Sequence, residues 1–178
     1  MDALLHFAST FPDAAKDIRL NLTSVLSQSS LTEPQRFLVA IAVAFAARDA
    51  ALAQAVVAAG GAHASAAVIA DAQAAAALMA MNNVYYRFRH MAKKPAYEQM
   101  PPRLRMQRLA QPLTSKADFE LACLAVSAVN GCEMCLQAHE RVVLEAGVTE
   151  AQVHDAIRIA ATVNAAATAS MLRSPVPA

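Results

Sequence analysis

Residues 118–140, DFELACLAVSAVNGCEMCLQAHE, contain two of the chain's three cysteines in a Cys-x-x-Cys arrangement. Cys132, Cys135 and His139 are three and four residues apart, a spacing that places them on one face of a helix. Asn130-Gly131 tolerates the left-handed conformation in which helices end, so we expect one helix to end there and a second to begin at Cys132. A thiol pair beside a base is typical of a thiol redox site.

A carboxylate precedes this motif. Glu120 lies about ten residues before the Asn130-Gly131 corner, or roughly 15 Å of helix. If the two helices fold back antiparallel, Glu120 comes about level with His139 to Val142. The predicted proton path then runs in the order Glu120, His139, Cys135, Cys132.

The composition predicts an all-α fold. The chain has 178 residues, only 4 glycines and long alanine runs, which suits one all-helical domain over residues 1–178. Apolar residues make up 57% of the chain and charged residues 16%, a balance that favours surface buried in an oligomer. The net charge of +1 gives no general attraction to nucleic acid or membrane.

The termini and cysteines predict a cytoplasmic protein. Residues Met1 to Ala8 have no basic region and only a short apolar run, unlike a secretion signal. An odd number of cysteines in a reducing compartment favours a catalytic or metal-binding pair over a disulfide framework. The uncharged window Ala50–Ala70 is interrupted at Gly60-Gly61, and we interpret it as two buried helices and not as a membrane span.

Capping patterns predict where the main helices begin. The patterns lie at Thr32–Gln35, Ser115–Asp118 and Thr149–Gln152. The helix from Glu33 to about Asp49 is apolar on nearly every side, which is typical of a core helix. A second long helix is predicted over 64–87, and a Ser- and Pro-containing tail follows Leu172.

Basic residues are concentrated in the segment Arg87–Arg108. They are Arg87, Arg89, Lys93, Lys94, Arg103, Arg105 and Arg108, against a single acid, Glu98. Its prolines predict a loop in part of the segment. A solvated loop and a docking surface for an acidic partner both fit, whereas nucleic-acid binding lacks a recognisable motif.

Other interpretations of the cysteines remain open. Cys-x-x-Cys with a later histidine is also a metal-ligand pattern, with Glu120 or Cys123 as a fourth ligand, and both cysteines could be structural. Cys123 lies in an apolar run and is expected in the core. Position at a helix start favours Cys132 as the thiolate, because the helix dipole stabilises it, while proximity to His139 favours Cys135.

A short internal similarity suggests a duplicated helical unit. Ala80-Met81-Asn82-Asn83 resembles Ala128-Val129-Asn130-Gly131, and each follows an alanine-rich helix. The first copy has Val84 and Arg87 where the second has its two cysteines.

The spaced motif and its flanks carry a family resemblance. The motif is Glu120, eleven residues, Cys132-x-x-Cys135, three residues, His139. The flanking matches are AKDIRLNL at 15–22, MNNVY at 81–85 and AVSAVNG at 125–131. Over nearly its whole length the chain resembles the carboxymuconolactone decarboxylase-like superfamily, and within it the alkyl hydroperoxidase D (AhpD) group.

The resemblance implies an all-α trimer with peroxidase activity on organic hydroperoxides and hydrogen peroxide. Cys135 would be the peroxidatic cysteine and Cys132 the resolving one. His139 and Glu120 would relay protons. Some relatives have a histidine just before the second cysteine, where this chain has Met134, which carries no proton.

The resemblance also implies partners but no tightly bound cofactor and no metal. Electrons would come from dihydrolipoamide on a 2-oxo acid dehydrogenase component, and from NADH through dihydrolipoamide dehydrogenase. A peroxiredoxin of the AhpC type could be reduced in turn. The alternatives are a carboxymuconolactone decarboxylase-like enzyme, whose chemistry does not use a Cys-x-x-Cys pair, and a non-catalytic or zinc-binding assembly protein.

Overall fold

A computed structural model describes residues 1–172 of the chain and shows helices and no strands in that range. The helices are α1 (Asp2–Ser9), α2 (Lys16–Ser27), α3 (Glu33–Ala46), α4 (Ala50–Gly60), α5 (Ala66–Ala92), α6 (Pro95–Gln99), α7 (Gln107–Ala110), α8 (Lys116–Val129), α9 (Glu133–Glu145) and α10 (Glu150–Met171). Short 3-10 turns occupy Asp13–Ala15 and Gly61–His63. The all-helical prediction is confirmed, while the tail predicted after Leu172 lies outside the described residues.

Helix α3 forms the centre of the fold. Every residue from Phe37 to Ala44 is buried, and the helix packs against α4, α5, α8 and α10. Alanines on α3 and on its neighbours, such as Ala40, Ala75 and Ala125, are fully buried. Small side chains let helices approach closely, so an alanine-rich sequence can still fill a core to high density. The prediction of a core helix after Thr32 is confirmed.

The capping patterns set the helix starts as predicted. Thr32 with Gln35 and Thr149 with Gln152 form reciprocal capping boxes. Ser115 caps α8 by accepting a hydrogen bond from the backbone N–H of Asp118, without the reciprocal side-chain bond. These caps satisfy amide groups that have no partner within their own helix.

The predicted end of the second long helix was wrong. Helix α5 does not end at Arg87 but continues to Ala92, and Lys93 ends it with a φ of 50°. Residues 88–92 are adequate helix formers, and the first proline that blocks helix continuation is Pro95. The basic segment thus begins as helix and contains the short helices α6 and α7 before α8.

The uncharged window near the middle of the chain forms two helices. As predicted, α4 ends and α5 begins on either side of Gly60-Gly61, and Gly61 has a φ of 49°. Within residues 1–172, no helix has the length and apolar character needed to cross a membrane.

A buried carboxylate anchors the segment that leads into α8. Asp71 on α5 is fully buried and accepts hydrogen bonds from the Arg108 guanidinium at 2.9 Å. It also accepts from the backbone N–H groups of Leu113 and Thr114 and from the Thr114 hydroxyl, at 2.7–2.9 Å. Burial alone would raise the pKa of Asp71, but the bonds from Thr114, Leu113 and Arg108 outweigh it and hold the pKa below its usual value.

We expect Asp71→Ala to destabilise the protein by about 2–4 kcal/mol at neutral pH, because the change removes the acceptor of the Leu113 and Thr114 amides and the buried partner of Arg108. Since the folded pKa of Asp71 is lowered, its contribution is present above the ordinary aspartate pKa and is lost as the pH falls toward the lowered value. Urea unfolding at pH 7 and at about pH 3 measures this.

The exposed Asp17→Ala on α2 is the matched control, with an expected change below about 1 kcal/mol. An equal destabilisation by Asp71→Ala at both pH values would show that the charge of Asp71 does not matter.

Candidate active site

The α8–α9 hairpin brings the predicted site together. Helix α8 ends at Val129, and Gly131 takes a φ of 66° to reverse the chain. The Cys132 backbone N–H donates to the Ser127 carbonyl at 3.1 Å, which closes the corner. The two helices pack against each other, so residues near the start of α8 meet residues near the middle of α9.

The two cysteines of the motif form a disulfide. Cys132 and Cys135 are bonded to each other with a Cα–Cα distance of 5.3 Å. Cys132 is completely buried and Cys135 is 6% exposed. The Cys-x-x-Cys pair can therefore close within the folded hairpin.

One expectation about the thiols needs correction. Cys132 was predicted in the first turn of its helix, but it is the N-cap of α9, with φ −99° and ψ 93°, and Cys135 lies in the first turn. Both sulfur-bearing residues thus lie at the positive end of the helix dipole. Helix position does not favour Cys132 alone.

The predicted contact between Glu120 and His139 is present. The Glu120 Oε2 atom lies 2.5 Å from Nδ1 of His139, and the two side chains are 7% and 13% exposed. With Nδ1 used in this contact, Nε2 is the ring nitrogen left to exchange a proton.

Lys116 is a third member of this cluster that the sequence analysis missed. Its Nζ lies 2.6 Å from Oε1 of Glu120, one helical turn away, and donates to the Leu109 carbonyl at 2.5 Å. Burial alone would raise the pKa of Glu120, but the bonds with His139 and Lys116 outweigh it and keep the pKa below its usual value. The i, i+4 spacing of Lys116 and Glu120 was the signal that could have found it.

A cavity of about 240 Å³ opens beside the disulfide. Its lining consists of Asn82, Tyr86, Met106, Leu109, Met134, Cys135, Ala138 and His139. Of the two cysteines, Cys135 is the one on this wall. Most of the lining is apolar, so the cavity suits a small molecule with a hydrocarbon part.

A second polar cluster fixes the corner of the hairpin. The Asn83 side-chain amide donates to the Ser127 hydroxyl at 2.9 Å and accepts from the Asn130 amide at 2.8 Å. Arg87 donates to the Asn130 carbonyl at 2.5 Å. The last turn of α8 and its C-cap, just before the turn at Gly131, are thereby attached to α5.

The other cysteine and the other acidic residues of the motif region lie outside this site. Cys123 is fully buried in the core, as expected, and burial raises the pKa of its thiol well above the usual range. Glu133 and Glu140 are exposed, and Glu133 lies 3.5 Å from His90. The described part of the chain brings no three His, Cys, Asp or Glu side chains together as a metal site.

Comparison with known proteins decides the family. Residues 95–173 match the model of the carboxymuconolactone decarboxylase family. The chain is 57% identical over 169 residues to "Alkyl hydroperoxide reductase AhpD" of Anaeromyxobacter dehalogenans (strain 2CP-C), which covers 95% of this chain and 91% of that relative. The chain belongs to the AhpD family.

Further members of the AhpD family align over most of the chain. The protein of that name from Anaeromyxobacter sp. (strain Fw109-5) is 60% identical, with 95% of this chain and 91% of the relative covered. The one from Bradyrhizobium sp. (strain BTAi1 / ATCC BAA-1182) is 51% identical, with 89% and 87% covered. The family resemblance predicted from the spaced motif is confirmed.

We expect Lys116→Met to raise the pKa of Glu120. Burial raises this pKa, and the substitution removes one of the two hydrogen-bond donors that lower it. A ¹³C NMR titration of the glutamate side-chain carboxyls would measure the change, with Glu120→Gln to assign the signal. Lys16→Met on α2 is the control and should leave that titration unchanged. The same Glu120 titration in Lys116→Met and wild type would mean that His139 alone holds the carboxylate ionised.

Proposed function

We propose that the protein is an antioxidant thiol peroxidase and disulfide reductase that reduces organic hydroperoxides and hydrogen peroxide. The observation that carries this proposal is the closed Cys132–Cys135 pair, with Cys135 and His139 on the wall of one apolar cavity and Glu120 bonded to His139 behind it. The AhpD relatives are named alkyl hydroperoxide reductases, which supports the reduction of organic hydroperoxides.

The cysteine roles follow from access to the cavity. In the dithiol form, the Cys135 thiolate attacks the terminal oxygen of R–O–OH, so that an S–O bond forms and the O–O bond breaks. The products are the Cys135 sulfenic acid and an alkoxide, which takes a proton from His139 and leaves as an alcohol. The Cys132 thiol then attacks the Cys135 sulfur, releasing water and forming the disulfide.

Glu120 serves this reaction through His139. Its carboxylate orients the ring and stabilises the protonated imidazole that forms when the thiol is ionised. Lys116 in turn keeps the Glu120 carboxylate ionised in a largely buried position. The proposed proton relay therefore runs from Glu120 through His139 to Cys135, and Lys116 supports it from outside.

A dithiol returns the enzyme to its reduced state. Dihydrolipoamide, carried on a 2-oxo acid dehydrogenase component, gives two electrons to the disulfide and becomes lipoamide. Dihydrolipoamide dehydrogenase then reduces lipoamide with NADH, so no tightly bound cofactor is needed. The same thiol pair could pass electrons to a peroxiredoxin of the AhpC type, since both reactions are dithiol–disulfide exchanges.

We place the docking site for the lipoyl-bearing partner on the basic segment. Its Arg108 and Arg89 are engaged: Arg108 bonds Asp71, and Arg89 bonds the Glu98 carbonyl and lies 5.8 Å from the ring centre of Tyr86. Arg103 and Arg105 are exposed and lie just before Met106 of the cavity wall. An acidic domain docked there would bring its lipoyl arm close to the disulfide.

We further propose a cytoplasmic homotrimer in which residues 1–178 form one domain. The exposed apolar side chains Val84, Phe88 and Met91 follow one another at i, i+4 and i+7 on α5, a pattern typical of a helix face buried by a partner. Cytoplasmic location suits a thiol pair that must be reduced in each cycle. We also propose an internal duplication of a helical unit, from the similarity of residues 80–83 to residues 128–131.

The first experiment measures dihydrolipoamide-dependent consumption of cumene hydroperoxide. We expect turnover in wild type, none above background in Cys132→Ser and Cys135→Ser, and a decrease of about 10²–10⁴-fold in His139→Phe, because the proton donor is lost. Cys123→Ser is the control and should keep its turnover. Activity that survives in Cys135→Ser but not in Cys132→Ser would reverse the cysteine roles, and no wild-type turnover would contradict the proposed function.

A second experiment tests the docking surface. We expect Arg103→Glu/Arg105→Glu to slow disulfide reduction by a dihydrolipoyl domain about tenfold, because two attractive charges become repulsive. Reduction by free dihydrolipoamide should be unchanged. Lys16→Glu/Arg19→Glu on α2 makes the same change in net charge and should affect neither donor. Equal loss with both donors in the Arg103/Arg105 variant would contradict docking on this segment.

A further inference from the structure

Met134 lies between the two cysteines and has no role in the proposed peroxidase cycle. It immediately precedes Cys135 on α9, is 39% exposed and lines the cavity together with Cys135 and His139. Its thioether is a polarizable sulfur that two-electron oxidants convert to methionine sulfoxide. An accessible, oxidisable side chain thus borders the space in which we propose that the hydroperoxide binds.

The redox state of the cysteines decides when this side chain meets peroxide. In the dithiol form the Cys135 thiolate is the stronger nucleophile, so it reacts with the hydroperoxide first. In the disulfide form neither cysteine carries a thiolate, while the cavity is still open beside Cys135. Met106, the other methionine of the lining, is more buried than Met134. A hydroperoxide that enters before the reducing dithiol therefore meets Met134 as the most accessible reduced sulfur of the cavity.

The cavity, and not exposure, distinguishes Met134 from other methionines. Met100 is 53% exposed, more than Met134, but lies outside the cavity lining. The apolar lining holds the hydrocarbon part of an organic hydroperoxide, which raises the concentration of the oxidant beside Met134. His139 on the same wall can protonate the alkoxide that leaves. Neither advantage exists at Met100, so a reaction in bulk solvent and a reaction in the cavity predict opposite orders of oxidation.

We propose that Met134 is a peroxide-sensitive site, oxidised to the sulfoxide by a hydroperoxide bound in the cavity when the cysteines are closed. This rests on the proposed function, because it uses the same cavity and the same class of substrate. The Met134 sulfur attacks the terminal oxygen of R–O–OH, so that an S–O bond forms and the O–O bond breaks. The sulfur loses two electrons to the hydroperoxide. The hydroxyl proton passes through His139 to the alkoxide, which leaves as an alcohol.

The sulfoxide changes the cavity for the cycles that follow. It replaces an apolar thioether beside Cys135 with a polar S=O group. The hydrocarbon part of the next hydroperoxide then loses apolar contact, which slows its reaction with Cys135. Met134 thus lowers turnover when peroxide arrives faster than the dithiol that reopens the disulfide.

The site is tested on the disulfide form of wild type without reductant. After treatment with cumene hydroperoxide, peptide mass spectrometry follows the gain of one oxygen atom at Met134 and at Met100. We expect Met134 to be oxidised about three- to tenfold faster than Met100, because the cavity concentrates the oxidant. With hydrogen peroxide, which has no hydrocarbon part, the ratio should fall to about one or below. Equal or faster oxidation of Met100 by cumene hydroperoxide would overturn the inference, and so would the same ratio with both peroxides.

A second measurement tests the consequence for turnover. After the peroxide is removed, dihydrolipoamide-dependent turnover of cumene hydroperoxide is compared with the untreated rate of the same protein. We expect wild type and the control Met100→Leu to become about three- to tenfold slower as Met134 is fully oxidised, and methionine sulfoxide reductases to restore the rate. Met134→Leu, similar in volume but without sulfur, should stay within about twofold of its own untreated rate. Equal loss in Met134→Leu, or no restoration by the reductases, would contradict the inference.

Failure of the proposed function is distinguishable from failure of this inference. If the protein is not a peroxidase, untreated wild type shows no turnover with dihydrolipoamide and cumene hydroperoxide. The ratio of oxidation at Met134 and Met100 needs no turnover, and it then decides alone whether the cavity directs a hydroperoxide to Met134.

Discussion

The structure around the site depends on one buried carboxylate. Glu120 is 7% exposed, and an ionised group so placed needs close partners of opposite charge or strong donors. Lys116 supplies one from the same helix, and His139 supplies the other from α9. The His139 contact forms only if α8 and α9 run antiparallel from the corner at Asn130-Gly131. That arrangement also sets the cysteines at the start of α9, so a single contact links the hairpin, the base and the thiols.

Helix α5 is bonded to both ends of α8: to the segment that leads into it and to the hairpin corner that follows it. Asp71 anchors the segment that carries Leu109 and leads into α8, while Asn83 is bonded at the hairpin corner. These two anchors are twelve residues apart, or roughly 18 Å along a rigid helix. The Lys116 bond to the Leu109 carbonyl adds a direct connection between the cavity wall and the Glu120 cluster. The cavity is thus bounded by elements whose relative positions are fixed by polar bonds to α5 and α8.

The parts of the site that follow local rules could be predicted from the sequence. Helix starts at Thr32 and Thr149, the corner at Asn130-Gly131 and the Glu120–His139 contact depend on spacing within a helix and on the residues at its ends. The AhpD family was likewise predicted from the spaced motif and confirmed.

What could not be predicted depends on long-range bonds. The path of residues 108–114 is fixed by Asp71, which lies far away in sequence, and no local pattern marks Asp71 as its anchor. The prolines of the basic segment predicted a loop, and nothing in the sequence singled out Met106 and Leu109, which line the cavity. The continuation of α5 beyond Arg87 was missed because the prolines of the basic segment predicted a loop and residues 88–92 carry no strong helix signal.

Access, more than helix position, separates the two sulfurs in the proposed reaction. Both cysteines lie at the start of α9, where backbone amides stabilise a thiolate, but Cys135 lines the cavity and Cys132 is completely buried. A reducing dithiol that enters the same cavity would attack the Cys135 sulfur and displace the Cys132 thiolate, which the N-cap position stabilises as a leaving group. Peroxide and reductant would then use one entrance in alternation. The enzyme would have to release the alcohol before the dithiol could enter, which is the order of a ping-pong reaction.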